Sequence, residues 1–387
     1  MSEATQPTIH TRLWSFDVLV ANRQRLRQQD AALLSAYQKL LHEADKALTA
    51  GPFSVLDKPM TAPSGDKHDY YSVGPYWWPN PNTTDGLPYV RRDGEVNPER
   101  ARYDATARSH MENAVVTLAL AWFFSNDERY TTHATQLLRT WFLDSATRMT
   151  PHLEYSQAIP GICDGRGIGI IETHTFPTLL DAVTLLGASN AWTADDQAEL
   201  QQWFRTYLDW LLTSKHGRDE AQEHNNHGTW YDVQVAAFAF FVADQHHAHL
   251  VLSQNTSRRI ISQIEPDGSQ PHELARTRSL SYSVMNLLGL MNAAALGSHV
   301  GIDLWHFPTE DGRGLHKAVD FLLTNALDRP WAGQQITDAS TEQLLPILYR
   351  AATIYGDARY AERVAQLRNQ YPANRTHLLY TLAAKAQ

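Results

Sequence analysis

Apolar residues recur at spacings of three and four through most of this chain, and strand-like alternation is scarce. That period is the one with which an α-helix turns a single face towards a core. It predicts helices over 104–125, 129–143, 194–214, 229–245, 247–264, 278–297, 314–327, 341–355 and 358–370, after an opening pair over 11–28 and 31–49. A weak internal repeat joins them in pairs. Asn126-Asp127-Glu128-Arg129-Tyr130 follows the apolar run Trp122-Phe123-Phe124, and Gly356-Asp357-Ala358-Arg359-Tyr360 follows Ala352-Thr353-Ile354-Tyr355. The shared Asp suits an N-cap, its carboxylate accepting from backbone N–H groups of the new helix. Hairpins at opposite ends of the chain suggest repeated helical pairs closing into a ring. No Gly/Ser linker or low-complexity segment divides the sequence, so the expectation is one all-α domain over residues 1–387.

Two segments break the pattern. Residues 51–103 hold eight of the 18 prolines and the aromatic cluster Tyr70, Tyr71, Tyr76, Trp77 and Trp78. Residues 151–172 carry Gly161, Gly165, Gly167 and Gly169 and little periodicity. Loops this long inside a compact domain are usually functional or disordered, and the aromatic cluster argues for order. Both are expected to cover substrate at one mouth of the ring.

Composition narrows the partners. With 387 residues, 43% hydrophobic and 19% charged, the chain can bury a substantial core and does not read as disordered. A net charge of -9 argues against nucleic acid, which requires a basic footprint. It leaves room for a polyanionic sugar held in a local basic cleft. The single cysteine, Cys163, allows neither an internal disulfide nor a zinc–cysteine site. His216, His224 and His227 lie close in sequence and His246 and His247 are adjacent, but none forms HExxH, and no phosphate loop or dinucleotide fingerprint is present. No metal and no cofactor are expected. Met1 to Asp30 lacks the basic start and apolar stretch of a signal peptide. No run approaches the roughly 20 apolar residues of a membrane span. Taken literally the protein is cytoplasmic with no membrane partner. A chain whose leader had been removed would read the same, which leaves a periplasmic or secreted location open. Nothing marks a protein partner. Eleven Trp and 16 Tyr bring aromatics to 10%, which fits either a groove that stacks on sugar rings or an aromatic-rich helical core.

The residues with chemistry are His224-Asn225-Asn226-His227 and, about fifty positions later, Arg276, Arg278 and Tyr282. An amide, an imidazole, guanidinium groups and a phenol suit the eliminative cleavage of a polyuronate. The proton on C5 of a uronate is weakly acidic, and its removal leaves charge beside a carboxylate. Asn226 can donate to that carboxylate, and Arg276 or Arg278 can add positive charge, the donors being aimed at charge as it develops. His227 can act as base or as a further donor. Tyr282 can protonate the leaving oxygen, or act as base if a nearby cation favours its phenolate. Arg278, four residues before Tyr282, is expected to share its face better than Arg276. The local pattern also fits blander roles: Asn226 as the N-cap of a helix beginning near Gly228, the arginines as surface charges, Tyr282 as a core aromatic. Asp164, Glu172, Glu223 and Asp232 supply carboxylates near the same blocks, from which a hydrolase would need one flanking pair. A non-catalytic carbohydrate-binding protein is the third reading.

Three blocks, between about residues 50 and 300, resemble the alginate-lyase superfamily. The first runs from His68-Asp69-Tyr70-Tyr71 through Tyr76-Trp77-Trp78 to Pro81, and continues over Asp85–Tyr89 and Arg91–Glu99. The second is Gln157-Ala158-Ile159-Pro160-Gly161 with Gly165-Arg166 and the stretch to Glu172. The third is Asn225-Asn226-His227-Gly228-Thr229-Trp230-Tyr231. The resemblance implies an incomplete (α/α) toroid of helical hairpins that cleaves β-linked uronates without a cofactor. It also implies that Asn226 and an arginine neutralise the carboxylate, that His227 assists, and that a tyrosine is acid or acid/base. Tyr76, Trp77, Trp78, Arg91, Arg92, Gln157, Arg166, Asn225, Tyr231 and Arg278 then become candidates for holding substrate, the arginines by bidentate pairing. One departure separates this chain from the better-known periplasmic members, where the tyrosine falls seven residues after the matching arginine. Seven after Arg278 stands Met285, which has no exchangeable proton. The sequence resembles instead a divergent branch using Arg276 and Tyr282, a branch that includes lyases for alginate and for glucuronan.

Overall fold

Helix boundaries in the computed structural model fall where the sequence places its caps. The structure describes residues 10–382; positions 1–9, part of the N-terminal stretch read above for a leader, and 383–387 lie outside it. The chain opens with α1 (Phe16–Arg27) and α2 (Ala31–Ala47). It then crosses an irregular stretch holding β1 (Tyr71–Val73), β2 (Trp77–Trp78) and β3 (Val90–Arg91), and forms α3 (Asp104–Ser125) and α4 (Glu128–Leu138). The second irregular stretch holds β4 (Tyr155–Ala158). The rest is helical: α5 (Phe176–Leu186), α6 (Ala194–Thr213), α7 (Lys215–Ala221), α8 (Asn226–Phe241), α9 (Gln245–Leu250), α10 (Ser257–Gln263), α11 (Pro271–Leu274), α12 (Ser279–Ser298), α13 (Leu315–Leu323), α14 (Leu345–Tyr355), α15 (Ala358–Gln370) and α16 (Thr376–Leu379).

The internal repeat corresponds to two hairpins closed in the same way. Asn126 ends α3 in the left-handed region at φ 65°, and Asp127 then accepts from Arg129 N at 3.0 Å to start α4. Gly356 ends α14 at φ 65°, and Asp357 accepts from Arg359 N at 2.8 Å to start α15. Four helices escaped the sequence reading, the single turns α11 and α16 and the longer α5 and α7. α5 is apolar and buried nearly all round, so it shows no stripe. α7 is a single short polar helix of 7 residues. Three predicted helices are interrupted by wide turns, at Arg139–Leu143, Val251–Thr256 and Thr324–Asp328.

Contacts gather the described residues into two compact units. One comprises Ala44–Glu223 and Ala237–Gln245, the other Thr11–Glu43, His224–Ala236 and residues 246–382. The first unit is built on α3 to α6. Phe142, Phe176, Trp203, Phe204, Tyr207 and Phe238 pack in its core at ring-centroid separations of 4.8–6.5 Å. Much of the aromatic excess is therefore core, at about 1.5–3 kcal/mol per large buried side chain. The two irregular stretches are fastened to each other. β1 pairs in parallel with β4, matching Tyr71 to Tyr155 and Val73 to Ala158, and β2 pairs antiparallel with β3. Beneath them Lys58 and Asp104, both buried, meet at 3.0 Å, and Asp104 also accepts from Tyr71 N.

In the second unit α12 is the packing centre. By length and apolar composition it could cross a membrane, but 72% of its most apolar 18-residue stretch is buried inside the protein, the environment of a core helix. Gly289 on α12 lets α8 approach closely, since a Cβ there would stand 2.8 Å from Thr229 Cγ2 and 3.2 Å from the Trp230 ring. Asn22 on α1 donates to the carbonyls of Leu378 and Tyr380, fixing the C-terminal turn.

Candidate active site

The start of α8 explains how two adjacent asparagines divide their work. Asn225 precedes the helix and its Oδ1 accepts from His227 N at 3.0 Å, so Asn225 is the cap. Asn226 is 1% exposed and turns inward to the carboxylate of Glu273, which is likewise 1% exposed. Asn226 donates to Glu273 three times, from its backbone N to Oε1 at 2.8 Å and from Nδ2 to Oε1 at 3.1 Å and Oε2 at 2.8 Å. The capping role weighed for Asn226 thus belongs to its neighbour. Burial pushes the Glu273 carboxyl above its ordinary range, opposed by the hydrogen bonds from Asn226 and by the charges of Arg276 and His227. No motif pointed to Glu273; its one sequence signal is its place three residues before Arg276.

Arg276 and Tyr282 form a pair. Arg276 Nη2 donates to the Tyr282 hydroxyl at 2.9 Å, and the guanidinium carbon lies 3.8 Å from the centre of the phenol ring. A cation so placed favours the phenolate over the phenol. The expectation that Arg278 would share Tyr282's face better is corrected here. Arg278 stands just before α12, and its carbonyl accepts from Tyr282 N at 3.0 Å as the first bond of that helix. Arg276 lies before the helix, just after α11, and its guanidinium sits over the ring. The half-buried imidazole of His227 follows Asn226 on α8. Tyr231, one turn further, is 5% exposed. Below this set runs a buried amide network. Gln263 accepts from Thr229 at 2.9 Å and donates to the Asn225 carbonyl at 3.2 Å, and Asn286 donates to Gln263 and Gln270, each at 2.9 Å. It ties the start of α8 to α12 without charge.

The remaining candidates lie in the first unit and cluster among themselves. Gln157 has φ 49°, a strained left-handed conformation for a non-glycine residue. Three contacts hold it: its N donates to Ser72 Oγ at 2.8 Å, its carbonyl accepts from Arg166 Nε at 2.9 Å, and its side-chain Oε1 accepts from Arg166 Nη2 at 3.1 Å. Arg166 sits 5.8 Å from the centre of the Trp77 ring. Gly74 makes room for both, since a Cβ there would stand 2.5 Å from Trp77 and 2.8 Å from Arg166. Arg92 covers Trp78 at 5.0 Å, and Arg91 pairs with Asp93 at 2.8 Å on the surface. Tyr76, Trp77 and Trp78 are half-buried.

Two of the four carboxylates weighed for hydrolysis are engaged in holding the fold. Asp232 is fully buried and paired with Arg259 at 2.7 and 3.1 Å. Glu172 accepts from Tyr70 and Ser72, both at 2.7 Å, and so anchors β1. Asp164 is exposed and Glu223 half-buried. Among the described residues no group of three or more His, Cys, Asp and Glu side chains has the geometry to hold a metal ion.

Residues 54–331 match the family model described as alginate lyase. The crystal structure of an alginate lyase from Bacteroides ovatus at 1.60 Å resolution is 40% identical over 97% of this chain and 100% of that chain, with a TM-score of 0.93. Alginate lyase A1-III from Sphingomonas species A1 shares 18% identity over 98% of this chain and 99% of its own, at a TM-score of 0.60. A His-to-Ala variant of A1-III complexed with a tetrasaccharide gives 17% identity and the same score over 99% and 98%. These last two are likenesses of fold, that of an all-α toroid of helical hairpins. Comparison with curated protein sequences gave no match.

Proposed function

Because this chain belongs to the alginate lyase family, and so is a carbon–oxygen lyase acting on polysaccharides, we propose that it cleaves β-1,4-linked polyuronates by syn β-elimination. The substrates in view are the polymannuronate of alginate and glucuronan. The observation that carries this reading is the Arg276–Tyr282 pair at 2.9 Å. In mannuronate and glucuronate H5 and the C4 oxygen lie on the same side of the ring, so one residue can serve both. The Tyr282 phenolate, favoured by Arg276, takes H5. The electron pair left on C5 forms the C4=C5 double bond, the C4–O4 bond breaks, and the new Tyr282 hydroxyl returns its proton to O4. Asn226 supplies the amide hydrogen not turned to Glu273, and His227 a ring N–H, to the uronate carboxylate as charge builds on it. Within the first unit, Arg166, Arg91 and Arg92 offer charge and Trp77 an aromatic ring, groups of the kind that bind uronates.

The test is a panel of polymannuronate, polyguluronate and glucuronan followed in the ultraviolet. Elimination leaves a double bond conjugated to the carboxylate, which absorbs there, whereas hydrolysis leaves reducing ends without it. Faster cleavage of the two syn substrates is expected. A preference for polyguluronate, whose H5 and O4 are anti, would overturn the single-tyrosine mechanism.

A further inference from the structure

Glu273 has no part in the chemistry just given, yet it touches both halves of the set that does it. Its carboxylate takes the three hydrogen bonds from Asn226 at the start of α8. Its backbone carbonyl accepts from Arg276 N at 3.1 Å. A helix cap does not require this arrangement, because Asn225 already caps α8. A carboxylate is an acceptor only. It therefore selects one of the two orientations of the Asn226 amide, with Nδ2 towards Glu273. In the flipped orientation Oδ1 would face two carboxylate oxygens. Asn226 Oδ1 is buried without a hydrogen-bond partner among the described residues, so no other protein group fixes the amide from its far side.

We infer that Glu273 is a positioning residue of the lyase reaction, holding the Asn226 amide in one orientation and tying it through the main chain to Arg276. The inference rests on Asn226 serving the reaction, as proposed above. Nothing is transferred to or from Glu273. What it supplies is geometry, and misplacing a group by an ångström can cost about 10²-fold in rate. A buried carboxylate kept only for stability would act independently of Asn226.

The experiment is a double-mutant cycle on whichever polymer the wild type cleaves fastest, with kcat, KM and Tm measured for wild type, Asn226→Ala, Glu273→Ala, Glu273→Gln and the double variants. Glu273→Ala is expected to lower kcat about 10²-fold with KM little changed. In the Asn226→Ala background the same change is expected to cost less than about threefold, since residues acting as a unit are not additive. Glu273→Gln keeps one carbonyl acceptor for Asn226 and is expected to recover part of the loss. It carries the cycle if the alanine variant does not fold. Equal losses in both backgrounds, or a wild-type kcat in either Glu273 variant, would overturn the inference. A wild-type rate in Asn226→Ala alone would overturn the reading beneath it, an outcome told apart by that single variant.

Discussion

At the scale of single residues, the start of α8 offers the sharpest contrast. Asn225 and Asn226 are chemically identical neighbours with opposite surroundings, one capping the helix and one facing a buried carboxylate. Asn225→Ala is expected to cost about 0.5–2 kcal/mol of stability, the usual loss of a cap. Asn226→Ala is expected to cut turnover far more than any shift in Tm would explain. Measuring Tm and initial rate on both variants checks the division, and an active, destabilised Asn226→Ala enzyme would hand the capping role back to Asn226. For Tyr282→Phe the expectation is a loss of about 10²–10⁴-fold in kcat with polymer binding retained, since the hydroxyl alone is removed. Near-normal turnover in that variant would take Tyr282 out of the mechanism.

At the scale of elements, stability rests on charged groups that fasten helices to one another. Asp232 on α8 and Arg259 on α10 form a buried pair. Removing one partner leaves the other charge stranded, and Asp232→Ala is expected to destabilise by about 3–5 kcal/mol. Chemical denaturation would show it, and a stable but inactive variant would instead make Asp232 part of the chemistry. Asp196 works differently. It closes a capping box with Thr193 at the start of α6 and takes a two-pronged bond from Arg139, 2.7 Å on each side. Burial alone would raise its carboxyl, but the bonds from Arg139 and Thr193 outweigh burial and hold it down at about 2, below the ordinary 3.8. A lowered carboxyl stabilises the fold above its unfolded value and loses that contribution as pH falls. Asp196→Asn is therefore expected to cost about 1–2 kcal/mol near neutrality, with the gap to wild type narrowing as pH drops from about 5 towards 3. A gap independent of pH would mean that hydrogen bonding without charge does the stabilising.

At the scale of the whole molecule the question is which stereochemistry the enzyme handles. In the proposed mechanism a syn substrate uses Tyr282 for both proton transfers, whereas guluronate requires a base on the opposite face, a role proposed for His227. His227→Ala is expected to harm any guluronate cleavage more than cleavage of polymannuronate or glucuronan. Initial rates of both proteins on the three polymers decide it, and equal losses on all of them would give His227 a shared role at the carboxylate. The match to the alginate lyase family fixes the class of reaction; the panel of polymers distinguishes mannuronate from glucuronate, which differ only in the orientation of one hydroxyl.

The sequence by itself determined what is local. The three-and-four period drew α3, α6, α12 and α15 within a residue or two of their ends. The Asp127 and Asp357 caps marked two hairpins, and the Asn-His and Arg-to-Tyr blocks marked the candidate site, because capping and helical facing depend on residues a few positions apart. What only the tertiary structure decided is which groups meet across long stretches of chain. It chose Arg276 over Arg278 as the partner of Tyr282, set Asn225 rather than Asn226 as the cap, and brought in Glu273, 47 positions from Asn226, which no motif announced. It also sorted the aromatics, sending Phe204 and Tyr207 to a core and leaving Trp77 and Trp78 half-buried beside arginines. The period that places a side chain on a helix face says nothing of what that face meets. That is settled by how α8, α11 and α12 pack, and by a close approach that Gly289 permits and a larger residue would forbid.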